Sequence, residues 1–240
     1  MEMTGRLDAS FYVIARRRDR LLQRLACPLL PLSAWAEVNP PRRRLPTERD
    51  FILFEDCAYA QIRDVPQEDC WVIGPGLGVT SPRELPQRAT YLPHPGDLLL
   101  PRIYSALHKP VWVRETLHPF VASDAFALLQ PHSREQGLTL LALLRHEILG
   151  EQLWAMTSGT TVRSIAVSKL DELQLPTLPD RTIARLAGGM EALLLAQTNV
   201  YFPGIQIPLA RYWTEVGYWR KRLHELTTEI HALIEQALKG

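Results

Sequence analysis

Thr157–Asp180, TSGTTVRSIAVSKLDELQLPTLPD, is the stretch that decides how the chain is organised. Ser158-Gly159-Thr160-Thr161 is a turn sequence whose small hydroxyl residues suit bonds to their own backbone or to a phosphate, and Val162 to Val167 alternates in the manner of a short strand. Ser168-Lys169-Leu170-Asp171-Glu172-Leu173 reads as a capped helical turn. In Leu175-Pro176-Thr177-Leu178-Pro179, two prolines remove backbone donors and hold the chain extended before Asp180 caps a new helix. A mixed α/β body, residues 1–179, is therefore expected to pass here into a helical arm, residues 180–240.

The arm has its own pattern. Ile183, Leu186, Met190 and Leu193 fall at steps of three, four and three, and the spacing breaks at Tyr201–Ile207, YFPGIQI. From Pro208, well placed at a first helical position, the apolar series Leu209, Tyr212, Val216, Trp219, Leu223, Leu226, Ile230, Leu233 and Ala237 alternates three and four throughout. At ~1.5 Å per residue this helix spans roughly 45 Å. The seam from Leu209 to Leu233 predicts a helix–helix contact, either between two copies or within one chain against residues 181–197.

Composition bounds the rest. With 46% hydrophobic and 22% charged residues over 240 positions, the chain has the balance of a globular protein with a real core. A net charge of +1 excludes a histone-like polycation, so nucleic-acid contact has to come from a local patch. Of 27 basic residues 23 are Arg, the side chain suited to bidentate contacts with phosphates and guanine edges, although a GC-rich coding sequence gives the same bias. Cys27, Cys57 and Cys70 form no CxxC pair, which argues against a disulfide framework or zinc knuckle and for a reducing, cytoplasmic setting. MEMTGRLDAS has no apolar signal core, and no run of 18 apolar residues exists.

No catalytic constellation stands out. Asn39-Pro40-Pro41 matches the start of an amino-methyltransferase motif, but Arg42 stands where the base-stacking aromatic belongs. Gly74-Pro75-Gly76-Leu77-Gly78 reads as a hairpin tip, since Pro82 and Pro86 interrupt any helix after it. His146-Glu147 lacks the second histidine of HExxH because residue 150 is Gly. Residues 13–26 read as a helix with an arginine-rich solvated face, Phe51–Phe54 and Trp71–Ile73 as short strands, and Leu138–Trp154 as one strong helix.

Several segments resemble the target-recognition domain of the DNA-specificity subunit of type I restriction-modification enzymes. They are Arg6–Tyr12, RLDASFY; Leu29–Val38, LLPLSAWAEV; the central strand Gly96–Ile103, GDLLLPRI, with Val111–Val113 returning; Val121–Leu129, read as a further strand; and the Gly159–Pro179 exit into a spacer helix. The resemblance departs after the central strand, where Tyr104-Ser105-Ala106 replaces the usual glycine, and lacks the usual Glu-Gln at the spacer start. It implies a compact mixed α/β domain built on a twisted sheet and followed by a long coiled-coil helical arm, with no catalysis and no cofactor of its own. Its implied partners are double-stranded DNA and a methyltransferase subunit, with or without a restriction subunit. It also implies that two copies pair as a homodimer through Leu209, Tyr212, Val216, Trp219, Leu223, Leu226, Ile230 and Leu233. Arg42, Arg43, Arg44, Arg83, Arg88, Arg102, Lys109, Arg163 and Lys169 are the expected DNA contacts, because they lie in or beside predicted turns, where readout residues sit. The alternative is a coiled-coil interaction module or inhibitor of a restriction complex that reads no DNA.

Overall fold

The apolar runs Leu98–Pro101, Val111–Val113 and Phe126–Pro131 lack the polar alternation of a half-exposed strand, and they are buried almost throughout. They form the centre of the fold in the computed structural model, which describes residues 9–23, 25, 27–46, 54–65, 72–73, 77–116, 118–159, 161–201 and 209–239. In chain order the elements are α1 (Ala9–Gln23), β1 (Leu29–Pro31), β2 (Ala36–Val38), β3 (Cys57–Ala60), β4 (Val72–Ile73), β5 (Val79–Thr80), β6 (Ala89–Tyr91), β7 (Leu98–Pro101), β8 (Val111–Val113), β9 (Phe120–Ser123), β10 (Phe126–Pro131), α2 (Arg134–Leu144), α3 (Glu147–Met156), β11 (Gln174–Pro176), α4 (Asp180–Tyr201) and α5 (Leu209–Lys239). Residues 6–8, 51–53, 71, 74–76, 160 and 202–208, which carried some of the expectations above, lie outside the described residues.

A five-stranded mixed sheet, ordered β2-β10-β7-β8-β4, is the middle layer, and its alternate residues serve two cores. Leu98, Leu100, Trp112, Ala127 and Leu129 face the helices. Leu99, Val111, Val113, Phe126 and Leu128 face the other way, against Ala58, Ala60, Phe120 and Ala122 of a four-stranded sheet ordered β5-β3-β9-β6. Burial on both faces is why the strand sequences read as continuous aliphatic runs. On the helical side α2 is buried from Gly137 to Leu144, between the sheet and α4. A Cβ at Gly137 would stand 2.7 Å from Pro131 Cγ, so glycine permits this approach of α2 to β10.

Three expectations are corrected. Val121–Leu129 is not one strand: the turn at Asp124-Ala125 divides it, placing β9 in the four-stranded sheet and β10 in the five-stranded one. Val162–Val167 is not a strand either. Ser164 makes only isolated bridges, to Ile103 and Ser158, and a 3-10 helix begins at Val167. Leu138–Trp154 is two helices, broken where His146 adopts an extended backbone (φ −83°, ψ 148°) and its ring accepts the Ile148 N–H at 3.4 Å as the α3 cap. The predicted helical turn at Ser168–Leu173 does form, as that 3-10 helix. The extended Leu175-Pro176 becomes β11, paired antiparallel with β1 so that Leu29 faces Pro176. Asp180 opens α4 inside its first turn rather than as the residue before it.

α5 folds back on α4 as a helical hairpin. Leu226, Ile230, Ile234 and Leu238 share one core with Leu186, Ala187, Met190, Leu193 and Leu194, and that core continues into α2 and the sheet. The sequence division at residue 180 therefore separates elements that share a core. At its far end α5 is tied to the body through His146, whose Nε2 lies 3.1 Å from Glu235 Oε1. With Nδ1 accepting from Ile148, the ring is neutral and donates from Nε2. Burial holds the His146 pKa below its ordinary 6.5, and nearby His231 adds to this while Glu235 opposes it. Because the folded value lies below the unfolded one, the unfolded chain takes up the proton first, and stability falls as pH drops below about 6.5. The melting temperature of the protein is expected to fall between pH 6.5 and 5.5, and His146→Gln to flatten that slope. Equal slopes for both proteins in a thermal-shift series would refute the assignment.

Candidate nucleic-acid interface

Asn39 shows why the Asn-Pro-Pro segment is architectural. Its backbone has a positive φ of 48°, a conformation Asn tolerates better than most residues. Its amide donates to Tyr91 Oη at 2.8 Å and its carbonyl oxygen accepts the Leu128 N–H at 2.7 Å, which joins β6 of one sheet to β10 of the other. The 3-10 turn Pro41–Arg43 follows, and its arginines diverge. Arg42 is exposed and bonds Gln130 Oε1 at 2.7 Å and Glu37 Oε2 at 3.1 Å. Arg43 is only 13% exposed and pairs at 3.3 Å with Asp97, itself 4% exposed. Burial raises the Asp97 pKa, opposed by the His94 N–H bond and by Arg43. Arg44 points to solvent, with its backbone bridged to Tyr91.

Tyr91 lies beside Arg44 and Arg102, whose charges oppose the rise that burial imposes on its pKa. Just before β6, exposed Arg88 donates to Asp124 Oδ1 at 2.9 Å, and its carbonyl accepts the Asp124 N–H at 2.8 Å. Arg102 is half-buried and works as a brace: Nη1 donates to the Asp124 carbonyl and Nε to the Ile165 carbonyl, each at 2.9 Å. It thereby ties the β9–β10 turn to Ile165, which follows the 158–164 loop. Two residues on from Arg102, Tyr104 N–H bonds Arg163 O at 2.9 Å, and the Arg163 guanidinium lies 4.8 Å over the Tyr104 ring.

Shared neighbours thus link Arg44, Arg88 and Arg102, and Arg163 is joined through the Tyr104 backbone. Arg83 is exposed on the 3-10 turn Pro82–Glu84, and Lys109 and Lys169 are half-buried. Because Arg102 spends its donors on two carbonyls, Arg102→Met is expected to cost about 1–3 kcal/mol of stability. Chemical denaturation measures this, and a wild-type midpoint would disprove the bracing role. Among the described residues no group of His, Cys, Asp and Glu could hold a metal ion, and no helix is long and apolar enough to cross a membrane.

No protein-family model and no curated protein matches the sequence. Solved structures do match. The HsdS subunit from Thermoanaerobacter tengcongensis superposes with a TM-score of 0.52 over 76% of this chain, at 16% identity. The chain has the HsdS fold. HsdS is the specificity subunit of type I restriction-modification systems, and the chain spans about half of that subunit's length, 51%. A chain from the type I R-M system is also similar, at 14% identity with a TM-score of 0.47, covering 95% of this chain and 54% of its own.

Within this HsdS fold Tyr91, Tyr104 and Asp124 hold the arginines in place, and local sequence does not single them out. Asp124 lies inside a segment that reads as one strand, and Tyr104 stands where the resemblance has a glycine. The predicted pairing residues land mostly indoors. Leu226 and Ile230 are buried against α4 within the chain, and Trp219, Leu223 and Leu233 pack partly against the same core. The side chains of Leu209, Tyr212 and Val216 lie outside the described residues.

Proposed function

We propose that the chain is a non-catalytic DNA-recognition module of a type I-like restriction-modification system, one that directs a partner methyltransferase, with or without a nuclease, to its site. The observation that supports this reading is the HsdS fold of the body, on which Arg88 and Arg102 both bond Asp124 and Arg163 is stacked over Tyr104. Guanidinium groups held on a folded frame suit both phosphate contact and bidentate guanine contact. Each chain supplies one reading module and acts in the cytoplasm. Since α4 covers Leu226 and Ile230, two copies that pair do so over the outer face of the hairpin or after it opens.

A protein-interaction module without DNA readout is the second reading. It is favoured by the acidic partners that Arg42, Arg43 and Arg88 already have, and by a net charge of only +1. Selection of a randomised duplex library on the purified chain at several salt concentrations, with the methyltransferase subunit added in a parallel arm, separates the two. Enrichment of a sequence motif in either arm supports recognition. Retention without enrichment, or no retention, supports the interaction module.

A further inference from the structure

The loop from Ser158 to Ser164 is closed by two backbone bonds, Ser158 N–H to Ser164 O at 2.8 Å and Ser164 N–H to Ser158 O at 2.9 Å. Gly159 has φ +116°, and a Cβ there would stand 2.5 Å from the Val162 carbonyl oxygen, so the loop closes this tightly only with glycine. The closure holds Val162 outward at 60% exposure, at a turn position where a polar residue is the ordinary choice. Val162 is β-branched and has few rotamers to lose on contact. Beside it Arg163 is braced over Tyr104, and Tyr104 packs at 6.5 Å against Trp154. Thr157–Ser164 contains no acidic residue to repel a phosphate backbone.

We infer that this loop reads the major groove, with Val162 packed on the 5-methyl group of a thymine and Arg163 donating bidentately to a neighbouring guanine. Apolar contact to the thymine methyl and an arginine fork on guanine O6 and N7 are the pairings that groove geometry favours. Val162 and Arg163, held beside the Ser158–Ser164 closure with the guanidinium already stacked on Tyr104, lose little conformational freedom on binding. The inference rests on the DNA-recognition reading above and names which bases this loop takes.

The test uses the motif that the full chain enriches. Each thymine is replaced in turn by deoxyuridine, which lacks only the methyl, and binding is compared for the wild-type chain and for Val162→Ala. At one thymine the wild type is expected to lose about fourfold in affinity on replacement, the value of one buried methyl group, while Val162→Ala binds both duplexes equally there. Arg163→Lys keeps the charge but loses the fork, so discrimination at one guanine should relax about tenfold with an unchanged salt slope. Val162 is exposed, so its variant should melt with the wild type, which separates lost contact from lost folding. An enriched motif whose thymines all tolerate deoxyuridine, or discrimination that survives in Val162→Ala, overturns the inference alone. Absence of any motif overturns the DNA reading and this inference with it.

Discussion

Arg44→Ala combined with Arg88→Ala is expected to lower duplex-DNA affinity about thirtyfold or more while leaving the fold intact. Arg88 is 69% exposed, and its pair with Asp124 is a surface ion pair of the kind that contributes at most about 1 kcal/mol. Exchanging that partner for a phosphate or a guanine edge therefore costs little. Base contacts contribute ~1–3 kcal/mol each. If the same groups instead meet only phosphate, the salt dependence of binding should flatten by about two released ions for the pair. Arg43→Ala is the contrasting case. It leaves Asp97 buried without its cationic neighbour, so it should act on stability first. Filter-binding titrations over a salt series, with melting curves for each variant, measure both effects. A double variant that binds as the wild type does would remove Arg44 and Arg88 from the interface.

Ile230→Ala is expected to be the most destabilising of the simple truncations in the hairpin. Ile230 is 1% exposed, shares a core with α4, and approaches Gly189, where even a Cβ would stand 3.3 Å from Ile230 Cγ1. So close a helix approach leaves little room for collapse around a deleted side chain. The cost should be about 2–5 kcal/mol, or ~5–15 °C in melting temperature for a chain of this size. The loss should also be independent of protein concentration, because the seam closes within one chain. A seam shared between two copies would instead make the melting temperature rise with concentration. Melting across a hundredfold concentration range reads both quantities.

Much of the framework is legible in local sequence. Leu98–Pro101 and Val111–Val113 declare themselves as strands because aliphatic side chains are needed on both faces of a middle sheet, and the three-four spacing after Leu209 fixes a long helix. What local sequence does not carry is the identity of distant partners. Leu175-Pro176 reads as extended, yet nothing near it announces Leu29–Pro31 as the strand it joins. The break at His146 is equally silent: the apolar spacing continues through it, and only the ring's bonds to Ile148 and Glu235 reveal a cap. The same limit applies to the arginines. Arg43 and Arg44 are neighbours in a run of three, but only the fold buries one beside Asp97 and leaves the other in solvent.

The turn at Asp124-Ala125 carries a mechanical consequence. One continuous segment supplies β9 to the four-stranded sheet and β10 to the five-stranded sheet, while Arg88 and Arg102 fasten its corner from either side. Neither sheet can loosen without pulling on the other through that corner. Amide protons of β3 and β7, which pair with β9 and β10, should therefore exchange as one cooperative unit, and a ligand seated on Arg88 should slow both sets together.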